Sequence, residues 1–465
     1  MGNRALGCHR MQVHDGVEYE VKATILELES PDEGEAAETL ASEKILVDTL
    51  VFVLKGVFQA GVPSDCATSL HQMRAAWMLL SMLHAGYMLN FTMEVYDWGS
   101  LAKNLIATGN YTEFLEKQDK IRYSDLEWKW QGLNDYFDQF YLGVVGVGTP
   151  RQIFYLQMDT GSSNMWVIDA ACPQRQCTGY PAGYRPKLKF KPGASRTFKK
   201  IPQGFHMKYY TGSADGYYGT DTISFAGFNV PTQKFGVATS IADVFGYQPI
   251  DGIFGLGWPS LARGNVKTPL EAILPKLDKK LFTIWLGRRT TMSYGAMVGY
   301  IQYGALDTTH CISAINWVPL SLAKYWQFPI QGFQIGQFVW NSVDQVISDS
   351  GTSFIGTPMA VLNGILRATN AKYMPAHRMY VVPCAKMWAQ PNIIFRISGH
   401  QYVIPSHQYV IDMKLGHGYC ALAVFGIQSG GFSAQWILGD PFIRTYCNIH
   451  DFENKRIGFS LAKNM

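Results

Sequence analysis

The stretch "VISDSGTSFIG", Val346–Gly356, is a short apolar run that stops at an aspartate followed by small hydroxyl residues and glycines. Read alone, it predicts only a strand that ends in a turn, because Asp, Ser and Gly all favour turns. The first half of the chain contains a second stretch of the same design, "FYLQMDTGSSNMW", Phe154–Trp166. Two such turns, each after an apolar strand and each extended by further hydroxyls, predict a pair that acts together.

The chemistry of carboxyl groups suggests what this pair does. Hydrolysis of a peptide bond without a metal or a nucleophilic side chain needs one group to accept a proton from water and another to donate one to the carbonyl oxygen. Two carboxyl groups about 3 Å apart cannot both ionise cheaply, so they share a proton. We therefore interpret Asp159 and Asp349 as a catalytic pair. Their neighbours would let the chain turn closely, at Gly161 and Gly351, and would donate hydrogen bonds to the carboxylates, at Thr160, Ser162, Ser350 and Thr352.

The rest of the chain has the character of an all-β protein. Hydrophobic residues make up 47% of its 465 residues, and it contains 45 Gly, 25 Tyr and 26 Phe, which indicates a globular, turn-rich fold. After about residue 140, short apolar or alternating runs are separated by Gly, Pro, Asn and Asp at regular intervals, the pattern of successive strands. The length predicts two or three folding units.

Charge is distributed unevenly behind a net charge of +4. Residues 1–72 carry 5 Lys/Arg and 12 Asp/Glu, residues 93–140 carry 5 and 9, and residues 141–465 carry 29 and 15. The basic part of the chain has either a surface of scattered, solvated cations or an attraction for acidic proteins. It has no single basic helix or arginine run, so nucleic-acid binding is not expected.

The residues before the β-rich part contain one apolar run, "MRAAWMLLSMLHAG", at 73–86. Its basic residue, apolar core and small residues follow the order of a secretory signal peptide. We expect Met73 to be the true start, with 1–72 an upstream extension and 73–89 the signal peptide. A buried core helix or an internal anchor would give the same run. No apolar stretch reaches the length of about 18 residues that a membrane span needs, so stable membrane insertion is not expected.

Cysteine usage agrees with secretion. Six of the eight cysteines lie after residue 140, without a CxxC motif or nearby histidine pairs, which favours disulfides over zinc and implies an oxidising compartment. The triplets at Asn90 and Asn110 match the N-glycosylation motif. We expect no metal and no cofactor.

From about Asn134 to its C-terminus, the chain resembles the pepsin and cathepsin D family of aspartic proteases. The segments "MDTGSSNMWV" and "ISDSGTSF" look like that family's two active-site loops, and "PIDGIFGLGWPS" and "WILGDPFIRTYCNIHDFENKRIGFSLA" look like the strands that brace them. The resemblance implies an all-β, bilobal pepsin-like fold with a central cleft. It also implies a propeptide at 90–135, an N-terminal lobe at 136–290 and a C-terminal lobe at 291–465.

The same resemblance implies roles for individual residues. Asp159 and Asp349 would activate water, Tyr209 would be the tyrosine of a hairpin flap over the substrate, and Trp166 would be its hydrogen-bond partner. The residues that would contact the substrate are Tyr209, Trp166, Gly161, Gly351 and Thr352. The cysteines would pair as Cys172 with Cys177, Cys384 with Cys420 and, as in nematode members, Cys311 with Cys447.

Four residues depart from the family pattern. Ser350 stands where threonine is usual but keeps the hydroxyl. Ser348 puts a hydroxyl where an apolar side chain is usual, so it must find a partner or cost about 1–3 kcal/mol. Tyr210 occupies a flap position that is normally glycine, and Gln157 shares the cleft face with Asp159 and makes it more polar, unless it bonds a neighbouring strand.

These features together predict an aspartic endopeptidase, made as a secreted or lysosomal zymogen and acting as a monomer on proteins and peptides. The basic body repels itself increasingly in acid, so we expect a mildly acidic optimum. The alternative is a catalytically silent binding protein on the same fold, suggested by Tyr210 and Ser348.

Overall fold

The computed structural model describes residues 11–12, 18–19, 91–97, 101–111, 113–114, 140–180, 185–209, 212–287, 296–427 and 434–463. The chain divides into two units, 1–87 and 88–465. In the first unit, the described residues form an antiparallel pair of two-residue strands, β1 (Met11–Gln12) and β2 (Glu18–Tyr19). The predicted signal peptide and Tyr210 lie outside the described residues.

The second unit is built mainly from strands. Those of its first half are β3 (Phe91–Asp97), β4 (Tyr141–Val147), β5 (Gln152–Asp159), β6 (Met165–Ile168), β7 (Lys199–Lys208), β8 (Ser213–Phe225), β9 (Phe228–Ile241), β10 (Gly252–Gly255), β11 (Leu281–Leu286) and β12 (Ala296–Tyr303). Those of its second half are β13 (Asn316–Pro319), β14 (Leu322–Ala323), β15 (Trp326–Ile330), β16 (Gly332–Ile335), β17 (Phe338–Trp340), β18 (Asp344–Ser348), β19 (Ile355–Pro358), β20 (Lys372–Met374), β21 (Met379–Pro383), β22 (Ile393–Ile397), β23 (His400–Ile404), β24 (Val410–Ile411), β25 (Tyr419–Leu422), β26 (Val424–Ile427), β27 (Trp436–Leu438), β28 (Tyr446–Asp451) and β29 (Arg456–Leu461).

Helices are short by comparison. The α-helices are α1 (Leu101–Ala107), α2 (Asp243–Tyr247), α3 (Pro269–Ile273), α4 (Met359–Thr369), α5 (Ser406–Tyr409) and α6 (Asp440–Thr445). The 3₁₀ turns are Arg175–Cys177, Pro192–Ala194, Pro259–Leu261, Leu274–Lys276 and Cys384–Ala389. None of the helices that the structure describes is long and apolar enough to cross a bilayer.

The strands assemble into one sheet of thirteen strands and smaller sheets of six, four and four strands. The order in the largest sheet is β13-β29-β28-β11-β12-β3-β4-β5-β10-β6-β9-β8-β7, so it takes strands from both halves of the chain. The all-β prediction is confirmed. The predicted boundary between lobes at residue 290 stays a prediction.

A repeated arrangement of three strands delivers the two aspartates. In the first half, β10 lies between β5, to which it is parallel, and β6, to which it is antiparallel. In the second half, β27 lies in the same way between β18 and β19. Asp159 ends β5 and Asp349 directly follows β18. The repeat in the sequence is therefore a repeat of local topology.

Large aromatic residues pack beneath this arrangement. Trp326 lies 5.2 Å from Trp258 and 5.9 Å from Phe282, measured between ring centroids. His450 on β28 is fully buried among them, stacked on Phe282 at 4.3 Å and in edge contact with Trp326 at 4.7 Å. A histidine in such surroundings is held in its neutral form, because burial disfavours the charged imidazolium.

Three disulfides fasten the unit: Cys172–Cys177, Cys311–Cys447 and Cys384–Cys420. The second spans 136 residues and ties the segment after β12 to β28. Closing a loop of that length removes much of the freedom of the unfolded chain.

We predict that His450 makes the fold less stable in acid. Burial lowers the pKa of His450 to about 3, while a histidine in the unfolded chain titrates near 6.5. Between these values the unfolded chain binds the extra proton, so stability is complete above pH 6.5 and falls by about 1.4 kcal/mol per pH unit towards pH 3.

Urea unfolding at pH 6.5 and pH 4.5 tests this. When the pH is lowered from 6.5 to 4.5, the free energy of unfolding should decrease by about 2 kcal/mol less in His450→Leu than in the wild type. The control is His400→Leu, which removes an exposed histidine. An equal acid-induced loss in the wild type and in His450→Leu would contradict the prediction.

Candidate active site

The two aspartates lie side by side although they come from distant parts of the chain. Asp159 is buried and Asp349 is half-buried, and each carboxyl group lies against the glycine of the opposite loop. Each also accepts two bonds from its own loop. Gly161 N–H donates to Oδ1 of Asp159 at 2.8 Å, and Gly351 N–H donates to Oδ1 of Asp349 at 2.9 Å. The Oδ2 atoms accept from the hydroxyls of Ser162 and of Thr352.

Glycine is required in both loops because each carboxyl group occupies the space beside the opposite glycine. A methyl group at Gly161 would lie 2.6 Å from Oδ1 of Asp349, and one at Gly351 would lie 2.5 Å from Oδ1 of Asp159. Both distances are far below van der Waals contact. The glycines therefore do more than allow a tight turn, since any side chain there would push the two carboxyl groups apart.

Thr160 and Ser350 join the two loops to each other rather than holding the carboxylates. The Thr160 hydroxyl donates to the Ser348 carbonyl at 3.1 Å and accepts from the Ser350 N–H at 2.9 Å. The Ser350 hydroxyl donates to the Met158 carbonyl at 2.7 Å and accepts from the Thr160 N–H at 3.1 Å. The prediction that these two hydroxyls donate to the carboxylates was wrong, because the single proton of each is committed to a backbone carbonyl. Only Ser162 and Thr352 fill the predicted role.

The environment favours the protonated form of both carboxyl groups. Burial raises the pKa of Asp159, and the neighbouring Asp349 carboxyl raises it further, against the bonds from Ser162 and Gly161. Burial likewise raises the pKa of Asp349, against the bonds from Thr352 and Gly351. Two adjacent groups of this kind titrate as a pair that holds one proton over a wide pH range. Such a pair can accept and donate a proton at the same time.

Tyr209 lies at the end of a hairpin that reaches the site. The hairpin is formed by β7 and β8, with Lys208 opposite Ser213, and the Tyr209 N–H donates to the Gly212 carbonyl at 2.7 Å. The Trp166 indole N–H donates to the Tyr209 hydroxyl at 2.8 Å. Burial raises the pKa of Tyr209, and the Asp159 carboxyl raises it further.

Two of the departures from the family pattern have partners in the structure. The buried Ser348 hydroxyl donates to Oδ1 of Asn448 at 2.8 Å, and the Asn448 amide donates to the Tyr446 carbonyl at 2.7 Å. Ser348 therefore does not leave an unpaired hydroxyl beneath Asp349. The Gln157 amide donates to the Gly351 carbonyl at 3.2 Å, so it bonds the second aspartate loop and not a neighbouring strand.

Asn448 and Tyr325 belong to the site although the sequence did not indicate them. Asn448 is fully buried and supports Ser348 from β28. Burial raises the pKa of Tyr325, and the charge of the Asp349 carboxyl raises it further. Asn448 lies within the segment that resembles a bracing strand and Tyr325 lies outside the quoted segments, but neither was given a role, because each reaches the site only through the folding of a distant strand or turn.

Residues that precede β4 also pack on this part of the molecule. Leu105 on α1 and the aromatic residues Tyr111 and Phe114 are buried in the cluster that contains Trp166. The Tyr111 ring lies 5.6 Å from that of His377, and the Phe114 ring lies 4.9 Å from that of Tyr247. Strand β3 pairs with β4 and β12.

One group of potential metal ligands lies outside the site. A sulfur of Cys384, a sulfur of Cys420 and an oxygen of Asp412 are within 4.8 Å of one another. The two sulfurs are joined in a disulfide, so neither is a thiolate that could bind a metal.

Comparisons with known proteins agree with this geometry. Residues 140–462 match the family model described as eukaryotic aspartyl protease. Aspartic protease 1 of Caenorhabditis elegans is 45% identical over 83% of this chain and 98% of its own length. Aspartic protease 17 of the same organism is 40% identical over 80% and 95%. Gastricsin of Callithrix jacchus is 32% identical over 84% and 99%.

We predict that Ser350→Ala destabilises the junction of the two loops. The substitution leaves the Met158 carbonyl and the Thr160 N–H without their partner, and should lower the free energy of unfolding by about 1–3 kcal/mol. Ser350→Thr, which keeps the hydroxyl, is the matched control and should stay within about 1 kcal/mol of the wild type. Urea unfolding measures both variants, and a Ser350→Ala protein as stable as the wild type would refute the role given to these bonds.

Proposed function

Since the chain belongs to the eukaryotic aspartyl protease family and is an aspartic-type endopeptidase, we propose that Asp159 and Asp349 are the carboxyl groups that activate water for hydrolysis. The observation that carries this proposal is the close approach of the two carboxyl groups, each of which fills the space beside the glycine of the opposite loop. With one proton between them, the pair contains both a base for water and an acid for the substrate carbonyl.

The reaction balances with the groups that the site provides. The ionised carboxylate accepts a proton from water as the water oxygen attacks the scissile carbonyl carbon, and the protonated carboxyl donates its proton to the carbonyl oxygen. The tetrahedral species then breaks its C–N bond. The carboxyl that received the water proton donates it to the amine nitrogen, and one hydroxyl of the tetrahedral species returns its proton to the other carboxylate, which leaves a carboxylic acid and a free amine. The pair returns to its starting state with one proton.

The fixed hydrogen bonds around the pair support this mechanism. The hydroxyls of Ser162 and Thr352 donate to the Oδ2 atoms of the two aspartates, and the N–H groups of Gly161 and Gly351 donate to the Oδ1 atoms. Each carboxylate is thereby oriented before the substrate arrives, which lowers the cost of reorganisation during the reaction. We assign the substrate contacts to Gly161, Gly351, Thr352 and Tyr209. Trp166 was also predicted to contact the substrate, but its side chain is fully buried and instead holds the Tyr209 hydroxyl in place.

We further propose that the chain is made as a zymogen whose inhibitory segment lies within residues 90–135. The burial of Leu105, Tyr111 and Phe114 against the cluster around Trp166 supports this, because removing them would uncover apolar surface next to the flap. Members of this family are secreted or lysosomal, and we propose the same route for this chain, with 73–89 as its signal peptide and 136–290 and 291–465 as the lobes of a monomeric enzyme.

The alternative of a silent binding protein depended on Ser348 and Tyr210. Ser348 has a partner in Asn448, so its hydroxyl gives no reason to expect a damaged site. Substrates of the family are proteins and peptides, and turnover of such a substrate separates the enzyme from a binding protein.

We predict that Asp159→Asn and Asp349→Asn each abolish hydrolysis of a peptide substrate, with a loss of at least about 10³-fold in kcat, because an amide can neither accept nor donate the shared proton. Binding of a substrate-like inhibitor and the melting temperature should change much less. A variant that keeps more than a tenth of the wild-type kcat would overturn the assignment of that aspartate.

The pH dependence of the same reaction is a second part of this test. Activity requires one proton on the pair, and the raised pKa values move the loss of that proton to higher pH than for ordinary carboxyl groups. We therefore expect kcat/KM to stay high through mildly acidic pH and to fall as neutrality is approached. A fall in kcat/KM that is complete by about pH 4, where isolated carboxyl groups titrate, would contradict the raised pKa values of the pair.

We predict that Tyr209 acts through its hydroxyl as well as its ring. Tyr209→Phe keeps the ring but leaves the Trp166 N–H unpaired, and should lower kcat/KM by about threefold to thirtyfold. Tyr209→Ala also removes the ring and should cost more. Equal activities for the wild type and both variants would remove Tyr209 from the proposed site.

A further inference from the structure

Gln157 is a polar side chain between apolar residues on the two neighbouring strands. It lies directly opposite Leu142 on β4 and Ile253 on β10, and both of these neighbours are buried. Alternation along β5 puts Gln157 on the same face as Asp159, two residues before it. A half-buried amide at this place adds a hydrogen-bonding group that these neighbours lack.

One hydrogen bond fixes the orientation of this amide. Its Nε2 donates to the Gly351 carbonyl at 3.2 Å. Because a carbonyl oxygen can only accept, the NH₂ group must face Gly351 and Oε1 must face the other way. Among the described residues none donates to Oε1, and this atom is not one of the fully buried unpaired atoms. Gln157 therefore presents an accessible acceptor with a defined direction.

The distance from the aspartates indicates what the acceptor meets. Two residues of strand correspond to about 6.6 Å, which is also the length of about two residues of an extended peptide. A substrate whose scissile carbonyl lies at the carboxyl pair therefore brings a side chain that flanks the scissile bond over the Gln157 amide. An apolar substrate side chain there would displace the water that hydrogen-bonds to Oε1, and it would supply no donor in place of that water.

We propose that Gln157 is a specificity-determining residue that favours substrates with a hydrogen-bond donor, such as glutamine or lysine, on a side chain next to the scissile bond. This inference rests on the proposed function of the aspartate pair. Covering an acceptor without a donor leaves it unpaired, whereas a donor restores the bond, and sites of this kind discriminate strongly between polar and apolar ligands.

The test uses the full-length chain after acid activation and pairs of peptides that differ only by Gln or Met at one position. These two side chains have similar length, and the position is placed on each side of the scissile bond in turn. The measured quantity is the ratio of kcat/KM for the Gln peptide to that for the Met peptide. In Gln157→Met this ratio should fall by about tenfold relative to the wild type, at one of the two positions.

The ratio separates specificity from a structural role. Loss of the bond to the Gly351 carbonyl acts on both peptides alike and cancels in the ratio. Gln157→Leu, which continues the row of Leu142 and Ile253, is the second apolar variant and should show the same fall, including in the case that Gln157→Met does not fold. Ratios within twofold of the wild type at both positions, in an enzyme that cleaves the peptides, would overturn the inference alone. Absence of cleavage by the wild type would overturn the proposed function.

Discussion

Two adjacent carboxyl groups in a poorly solvated site are an arrangement that a protein must enforce, because each disfavours the charge of the other and desolvation disfavours both. In this chain the enforcement is the reciprocal bonding between Thr160 and Ser350, whose backbone N–H groups and hydroxyls link the two loops in both directions. The glycines beside them leave the space that the opposite carboxyl group fills. The rest of the site, from the orienting hydroxyls to the flap tyrosine, depends on the carboxyl groups being held in this position.

The strands explain how such a contact can be built from segments far apart in the chain. β5 ends at Asp159 and β18 ends directly before Asp349. Each is braced by a parallel strand, β10 or β27, that also pairs with the strand following the loop. Two copies of one unit facing each other bring like residues together, which is why Thr160 and Ser350 exchange equivalent bonds. The symmetry is imperfect where the chain adds its own features, as Gln157 does on β5 and Ser348 does on β18.

The sequence predicted those parts of the structure that are coded locally. The aspartates, their glycines and their hydroxyl neighbours follow apolar strands within a few residues, so pattern and turn chemistry were enough to find them. The bonding of Thr160 and Ser350 was predicted wrongly, because the direction of a hydroxyl depends on the loop that faces it. Asn448 and Tyr325 were missed for a related reason, since β28 and the turn before β15 approach the site only in the folded chain. His450 is a further example, as nothing in its neighbouring residues reveals an aromatic environment built from distant strands.

The central claim is that the two carboxyl groups hold one proton between them over a wide pH range. The direct measurement is ¹³C NMR of the aspartate carboxyl carbons between pH 2 and pH 9, with the two signals assigned from the Asp159→Asn and Asp349→Asn variants. A shared proton predicts two well-separated titration steps seen at both carbons, the second of them well above the usual range for aspartate. Two independent steps close to pH 4 would show that the carboxyl groups do not form such a pair and would contradict the account.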